Sequence, residues 1–142
     1  MEPALEQILN LLLESERAGV VVCDALAGQV THEDLRKLLV TGKEDEGETA
    51  SQLELLIGDN GGSPSLKVGP FAAKIAAVGS LRERLELLIK GEQWVARKVE
   101  EALALAPPSG PVHDYLQRMA KRHRFAAEWT RAEIIRMLDE LN

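Results

Sequence analysis

A chain of 142 residues with a net charge of −6 is long enough to bury one core, and it lacks the basic surface that general nucleic-acid binding requires. Apolar residues make up 45% of the chain and aromatic residues only 4%, a balance that favours an all-α bundle. We therefore expect a single helical domain over residues 1–142 that binds no nucleic acid.

The cellular location is predicted from the cysteine content and from the apolar runs. Cys23 is the single cysteine, so no intrachain disulfide can form. Its place on an apolar stripe without a basic neighbour predicts a packed, unreactive thiol. The first residues lack the basic segment of a secretory signal, and no apolar run approaches the ~20 residues that span a bilayer. We expect a cytoplasmic protein that does not enter the membrane.

The first two helices are predicted from their start and stop signals. Pro3 suits the first turn of a helix that ends near Ala27, before Gly28. Thr31 followed by Asp34 resembles a cap for a second helix, which reaches Ile57 before a glycine-rich breaker. Two helices joined by a short turn form an antiparallel hairpin.

A long connection over residues 58–79 follows, with a short helix predicted over 71–78 after Pro70. About 13 extended residues could reach ~43 Å, which exceeds the ~37 Å length of a helix of about 25 residues. The connection can therefore cross the whole bundle. A second hairpin comes next. Ser80 with Glu83 predicts a capping box for its first helix, which ends near Ala106 at a proline-rich turn, and its last helix occupies the remainder.

Each of the four long helices carries one residue of a metal-ligand type in the middle of its apolar stripe. Steps of three and four residues place this residue within a stripe made mostly of leucines, valines and other apolar or small side chains. Burying an ionised carboxylate without a partner costs several kcal/mol or more, so a cation, a shared proton or water must compensate. The four residues are Glu16, Glu46, Glu92 and His123.

The four residues also lie at similar heights in the predicted bundle. Glu16 and Glu46 are about 14 and 16 residues from the first turn, and Glu92 and His123 are about 17 and 14 residues from the second. At ~1.5 Å per residue, these offsets differ by about one helical turn. We therefore predict that the four side chains meet near the middle of the bundle.

The order Glu, Glu, Glu, His over four helices resembles the ferritin-like superfamily across nearly the whole chain. The segments 16–19 (ERAG), 91–95 (GEQWV) and 119–123 (MAKRH) resemble an uncharacterised bacterial branch of it. The resemblance implies a four-helix bundle of two antiparallel hairpins joined by a long crossover. Members that hold two irons use a glutamate on helices 1 and 3, and a Glu-x-x-His pair on helices 2 and 4.

Two positions depart from that ligand pattern. Thr49 stands where the pattern has a histidine, and Ala120 stands where it has a glutamate. The resemblance therefore implies at most a mononuclear site for Fe(II), Mn(II) or Zn(II), with Glu46, Glu92 and His123 as ligands. Glu16 would be a fourth ligand or a hydrogen-bond acceptor behind them. Such a site would serve an oxidative or metal-handling role.

The alternative is a non-catalytic helical scaffold or interaction domain with a vestigial site, in which the polar residues only fix helix register. In that case Glu16 could instead be neutralised by an arginine, with Arg84 and Arg97 as candidates. The sequence identifies neither a substrate nor a protein partner.

The first helix has more apolar positions than one bundle face needs. Leu11, Leu13, Val20 and Val22 cannot all face the core together with Glu16, so we expect a homodimer, or cover by the long connection. Trp94 and Trp129 are expected to pack at helix interfaces. The basic residues of the last helix are expected in solvent, or facing the acidic segment 44–48.

Overall fold

The computed structural model describes residues 1–138, and these residues form five helices. The predicted last helix and the predicted domain both continue into residues 139–142, which lie outside the described residues. The helices are α1 (Pro3–Ala27), α2 (Glu33–Asp59), α3 (Phe71–Ala76), α4 (Leu81–Leu105) and α5 (Pro111–Leu138).

Local signals set most helix boundaries as the sequence predicts. The Ser80 hydroxyl accepts a hydrogen bond from the Glu83 backbone N–H at 3.2 Å and donates one to Glu83 Oε1 at 3.0 Å, which confirms the capping box. The predicted Thr31 cap is wrong by one residue. His32 caps α2, because its Nδ1 accepts a hydrogen bond from the Leu35 backbone N–H at 3.4 Å.

Two apolar clusters show how the helices run. The first cluster joins the N-terminal halves of α1 and α5 to the C-terminal halves of α2 and α4. The second joins the opposite halves of the same helices and adds Ile75 of α3. α1 is therefore antiparallel to α2, and α4 to α5, while α2 and α4 run the same way. The connection between α2 and α4 must cross the bundle from end to end, as predicted.

The crossing segment is held along α1 by hydrogen bonds at regular heights. Asn10 donates from Nδ2 to the Ser63 carbonyl at 3.0 Å and accepts from the Ser65 N–H at 2.7 Å. About two turns later, Arg17 Nη1 donates to the Ser65 carbonyl at 2.6 Å and to the Lys67 carbonyl at 3.0 Å. Polar side chains of α1 thus satisfy the backbone of the irregular connection.

The apolar surplus of α1 is partly covered within the chain itself. Leu13 and Val22 are buried, whereas Leu11 is 37% exposed and Val21 48% exposed. The homodimer stays a prediction, with less apolar surface to support it than the sequence indicated. Trp129 is 48% exposed and lines the space between α2 and α5, so only part of its side chain lies at a helix interface. Among the described residues, no helix is long and apolar enough to cross a bilayer.

Candidate metal centre

A polar layer separates the two apolar clusters in the middle of the bundle, at the height predicted from the sequence. Glu16 of α1 and His123 of α5 are buried, with 2% and 7% of their surface exposed. Glu46 of α2 and Glu92 of α4 are partly exposed, because both line cavities. On each of the four helices, the polar residue lies between a segment that contributes to the first apolar cluster and a segment that contributes to the second.

Glu16 and His123 form the buried ion pair of this layer. His123 Nε2 lies 2.8 Å from Glu16 Oε1. Burial lowers the pKa of His123, but the hydrogen bond and charge of Glu16, with the charge of Glu92, outweigh it and hold the pKa above its usual value. Arg84 does not take this role, because its guanidinium donates to the Val78 carbonyl and to Gln29 Oε1, at 2.8 Å each.

Glu46 and Glu92 form a second pair that shares a hydrogen bond. Burial and the charges of Glu92 and Glu16 raise the pKa of Glu46 well above its usual value. Burial and the charge of Glu16 also raise the pKa of Glu92. Two carboxyl groups in contact cannot both be ionised without cost. We therefore infer that Glu46 is protonated and that its O–H donates a hydrogen bond to the Glu92 carboxylate.

Cys23 adjoins the carboxyl pair and is not a reactive thiol. Its Sγ lies 3.6 Å from Glu46 Oε2, within reach for the weak S–H donor. Burial and the charges of Glu46 and Glu92 raise the pKa of Cys23 far above its usual value, so the thiolate is not populated. The packed thiol that the sequence predicts is confirmed, because Cys23 is buried.

Gly19 provides the space in which the Glu46 carboxyl group lies. A Cβ atom at Gly19 would stand 2.6 Å from Glu46 Cδ and would overlap a carboxylate oxygen. Any larger residue at this position must therefore displace the Glu46 side chain. A glycine in the middle of α1 costs about 1 kcal/mol of helix stability relative to alanine, and the close approach of Glu46 gives a reason for it.

Arg122 is the residue of this region that sequence reasoning missed. Its Nη2 donates to Thr49 Oγ1 at 3.0 Å, while the Thr49 hydroxyl donates to the Asp45 carbonyl at 2.9 Å. The guanidinium thus binds the residue that stands where the two-iron pattern has a second histidine. Arg122 is exposed, as the sequence predicts for the basic residues of this helix, but its contact with Thr49 was not predicted. The missing histidine at position 49 was the available signal.

Two cavities approach the polar layer from different sides. A cavity of about 450 Å³ lies between α1, the connection with α3, and α4. A smaller one of about 90 Å³ lies between α2 and α5, next to Arg122 and Thr49. Three carboxylates line both cavities: Glu16, Glu46 and Glu92. His123 lines the smaller cavity but not the larger one.

The donor types in the layer suit one divalent cation, since carboxylate and imidazole together bind Fe(II), Mn(II) or Zn(II). His123 Nδ1 is buried and has no hydrogen-bond partner among the described residues, which leaves one nitrogen for a further ligand. Within residues 1–138, however, no three His, Cys, Asp or Glu side chains are arranged to hold a metal ion. The side chains form two pairs, Glu16 with His123 and Glu46 with Glu92, so a cation would have to displace the proton that Glu46 and Glu92 share.

The comparisons with known proteins agree with this architecture. A family model described as a domain of unknown function, DUF6306, matches residues 4–133. The chain belongs to this family. A solved structure, described as a ferritin-like, diiron-carboxylate protein from Bacillus anthracis str. Ames, superposes with a TM-score of 0.81. The two chains share 20% identity over 97% of this chain and 99% of the other. No curated protein matches the chain in sequence.

The structural match establishes an all-helical, ferritin-like fold for this DUF6306 protein, as the sequence predicts. At 20% identity it establishes the fold alone, so the metal content of the Bacillus protein does not transfer to this chain. Glu16, Glu46, Glu92 and His123 remain predicted ligands. Their placement in one layer is a property of this chain's own helices.

Proposed function

We propose that this protein binds one divalent metal ion, Fe(II), Mn(II) or Zn(II), in the polar layer and has an oxidative or metal-handling role. The observation that supports the proposal most is the pairing of Glu46 with Glu92. Two carboxyl groups that share a proton inside a bundle can exchange that proton for a cation, because the cation neutralises both. Glu16 and His123 stand beside them as the remaining donors.

The residues of this chain would divide the work as follows. Glu46, Glu92 and His123 would hold the ion, and Glu16 would be a fourth ligand or would orient the His123 ring. When bound, the ion would supply Lewis acidity or, as iron or manganese, electron transfer. Cys23 would stay a protonated neighbour of Glu46. The apolar clusters above and below the layer would exclude water along the bundle axis, whereas the cavities reach the layer from its sides.

One ion fits this chain better than two. Arg122 already places a positive charge beside Thr49, and Ala120 offers no oxygen donor. A second cation beside Thr49 would lie next to the guanidinium and would be repelled by its charge, although solvent screens part of this repulsion because Arg122 is exposed.

A metal-free scaffold is the competing function, and the two pairs of the layer favour it. His123 already balances Glu16, and Glu46 and Glu92 reduce their mutual repulsion by sharing a proton. In that reading the layer would fix the register of the four helices.

Metal analysis with variants of Glu46 separates the two functions. We expect near-stoichiometric metal in protein purified without chelators, and a rise in melting temperature when Fe(II), Mn(II) or Zn(II) is added. Glu46→Ala should abolish both effects. Glu44→Ala, an exposed position on the same helix, should keep them.

The scaffold function predicts a different set of results. The wild-type protein would then contain no metal even after supplementation, and Glu46→Gln would be neutral or stabilising because it removes a buried acidic group. Metal-dependent melting that persists in Glu46→Ala would contradict the assignment of Glu46.

A homodimer and a cytoplasmic location are further parts of the proposal. The dimer rests on Leu11 and Val21 of α1, which remain partly exposed. Light scattering at high protein concentration measures the mass directly, and a monomer would show that this surface needs no partner. The location rests on the sequence features described above.

A further inference from the structure

The larger cavity has apolar walls and is open to solvent. Its walls come from α1, α3 and α4, and its volume of about 450 Å³ lies within the usual range for small-molecule sites. The apolar wall consists of Leu11, Phe71, Leu87, Leu88, Trp94 and Val95.

Two close approaches of backbone and side chain shape this cavity. Phe71 packs its ring against Gly91, where a Cβ atom would stand 2.7 Å from the ring atom Cε2. Gly69 donates its N–H to the Glu14 carbonyl at 2.9 Å, which ties the end of the connection to α1. The segment that forms one wall is thus anchored to both neighbouring helices, and the cavity does not depend on a loose loop.

Three cations line the same cavity without an acidic partner. Lys74 of α3 and Lys90 and Arg97 of α4 are exposed, and none has a carboxylate within ion-pair distance in the described part of the chain. Glu14 is the one partly exposed carboxylate that lines the cavity on the α1 side among the described residues, apart from the three of the polar layer. Three exposed cations against this one carboxylate create a local positive potential that attracts an anion.

The opposite end of the cavity has the opposite charge. Glu16, Glu46 and Glu92 line it at depth, where an anionic ligand group would be repelled and desolvated. A ligand that satisfies both ends has one negative group for the cations and an apolar body for the walls. Its apolar end would then lie next to the polar layer.

We propose that this cavity binds an amphipathic monoanion, with its charged group beside Lys74, Lys90 and Arg97 and its apolar end directed toward Glu46 and Glu92. The ligand class follows from the walls and the rim, so this inference goes beyond the metal proposal and does not require it. In this orientation, the apolar end of the ligand would contact the polar layer.

Fluorescence of Trp94 provides the test. The chain has two tryptophans, so Trp129→Phe leaves Trp94, a wall residue, as the single reporter. Titration of this variant with decanoate should change the Trp94 emission saturably. The alcohol 1-decanol has the same chain without the charge, and it should bind at least tenfold more weakly. Equal affinity for the acid and the alcohol would contradict the proposal that Lys74, Lys90 and Arg97 bind the charged group of the ligand.

Variants of the three cations and of the apolar wall test whether the ligands bind in this cavity. Lys74→Ala, Lys90→Ala and Arg97→Ala combined should weaken decanoate at least tenfold and change decanol less than twofold. Lys37→Ala, an exposed lysine of α2 away from the cavity, is the matched control and should change neither. Val95→Phe fills the cavity and should weaken both ligands at least tenfold. A folded Val95→Phe protein, shown by its melting curve, that binds both ligands as before would refute the site.

Discussion

The two sides of the polar layer differ in what they offer to the same three carboxyl groups. On the side of α1, α3 and α4, a wide apolar cavity leads from solvent to Glu46 and Glu92. On the side of α2 and α5, the space is about 90 Å³, and Arg122 with Thr49 lies against it. One side can admit a ligand, and the other supplies a fixed positive charge.

The difference shows how a bundle with a symmetrical arrangement of helices can hold an asymmetrical site. Both hairpins place two ligand-type residues at mid-height, yet the open flank is lined by two glycines, Gly19 beside the Glu46 carboxyl group and Gly91 beside the Phe71 ring. The other flank is filled because a long side chain from α5 reaches back to α2. The asymmetry of the site results from the sizes of side chains on its two sides. It does not require a difference in the arrangement of the helix backbones.

The largest expected effect comes from breaking the buried pair of Glu16 and His123. In metal-free protein, His123→Ala leaves Glu16 buried without its partner, and we expect a loss of roughly 3–5 kcal/mol of unfolding free energy. His113→Ala, at a partly exposed histidine of the same helix, should cost far less. Urea denaturation measures both, and similar losses would contradict the importance of the Glu16–His123 pair.

A methyl group on the open side should disturb the site more than the fold. Gly19→Ala must displace the Glu46 carboxyl group, and we expect at least tenfold weaker metal binding, about 1.4 kcal/mol. The change in folding stability should be smaller, because alanine recovers up to about 1 kcal/mol of helix propensity. Gly79→Ala, where a Cβ would meet nothing, is the control. Isothermal titration with Mn(II) compares them, and equal affinities would refute the role of Gly19.

The pH dependence of stability should reveal the shared proton of the two carboxyl groups. Because the pKa values of Glu46 and Glu92 are raised on folding, the folded protein binds more protons than the unfolded chain above pH ~4.5. The free energy of unfolding should therefore fall as the pH rises from there.

His123 adds to the same trend. Its pKa is also raised, so its contribution is full below pH ~6.5 and is lost as the pH rises through the folded-state pKa. Metal-free protein should thus be more stable at pH 5 than at pH 8 by chemical denaturation. Glu46→Gln should flatten the slope, whereas Glu44→Gln, at an exposed position, should leave it unchanged. A stability that rises over this interval would contradict the shared proton.

The sequence predicted the helices and the four residues of the layer because both depend on local pattern. Caps, glycines and prolines mark the boundaries, and a period of 3.6 residues places Glu16 and His123 on core faces. The partners within the layer could not be predicted in the same way. They depend on helix rotation and side-chain rotamers, which is why Glu16 pairs with His123 and not with Arg84.

The contacts that make the two sides of the layer different could not be predicted from the sequence. Arg122 is one position before His123 and so lies outside the core stripe of α5, but its length lets it reach Thr49 on another helix. The open cavity depends on Phe71 packing against Gly91, a contact between residues 20 positions apart in separate helices. Neither contact leaves a periodic signal.

The smallest expected effect concerns the charge on the filled side. Arg122→Gln removes a positive charge near the layer, so it should tighten Mn(II) binding by about threefold, ~0.65 kcal/mol, while the loss of its hydrogen bond to Thr49 lowers folding stability by about 1 kcal/mol or less. Lys121→Gln removes the same charge from an exposed neighbour and should leave both quantities unchanged. If Arg122→Gln instead weakens Mn(II) binding, the guanidinium supports the site by positioning Thr49, and the two sides differ in packing and not in charge.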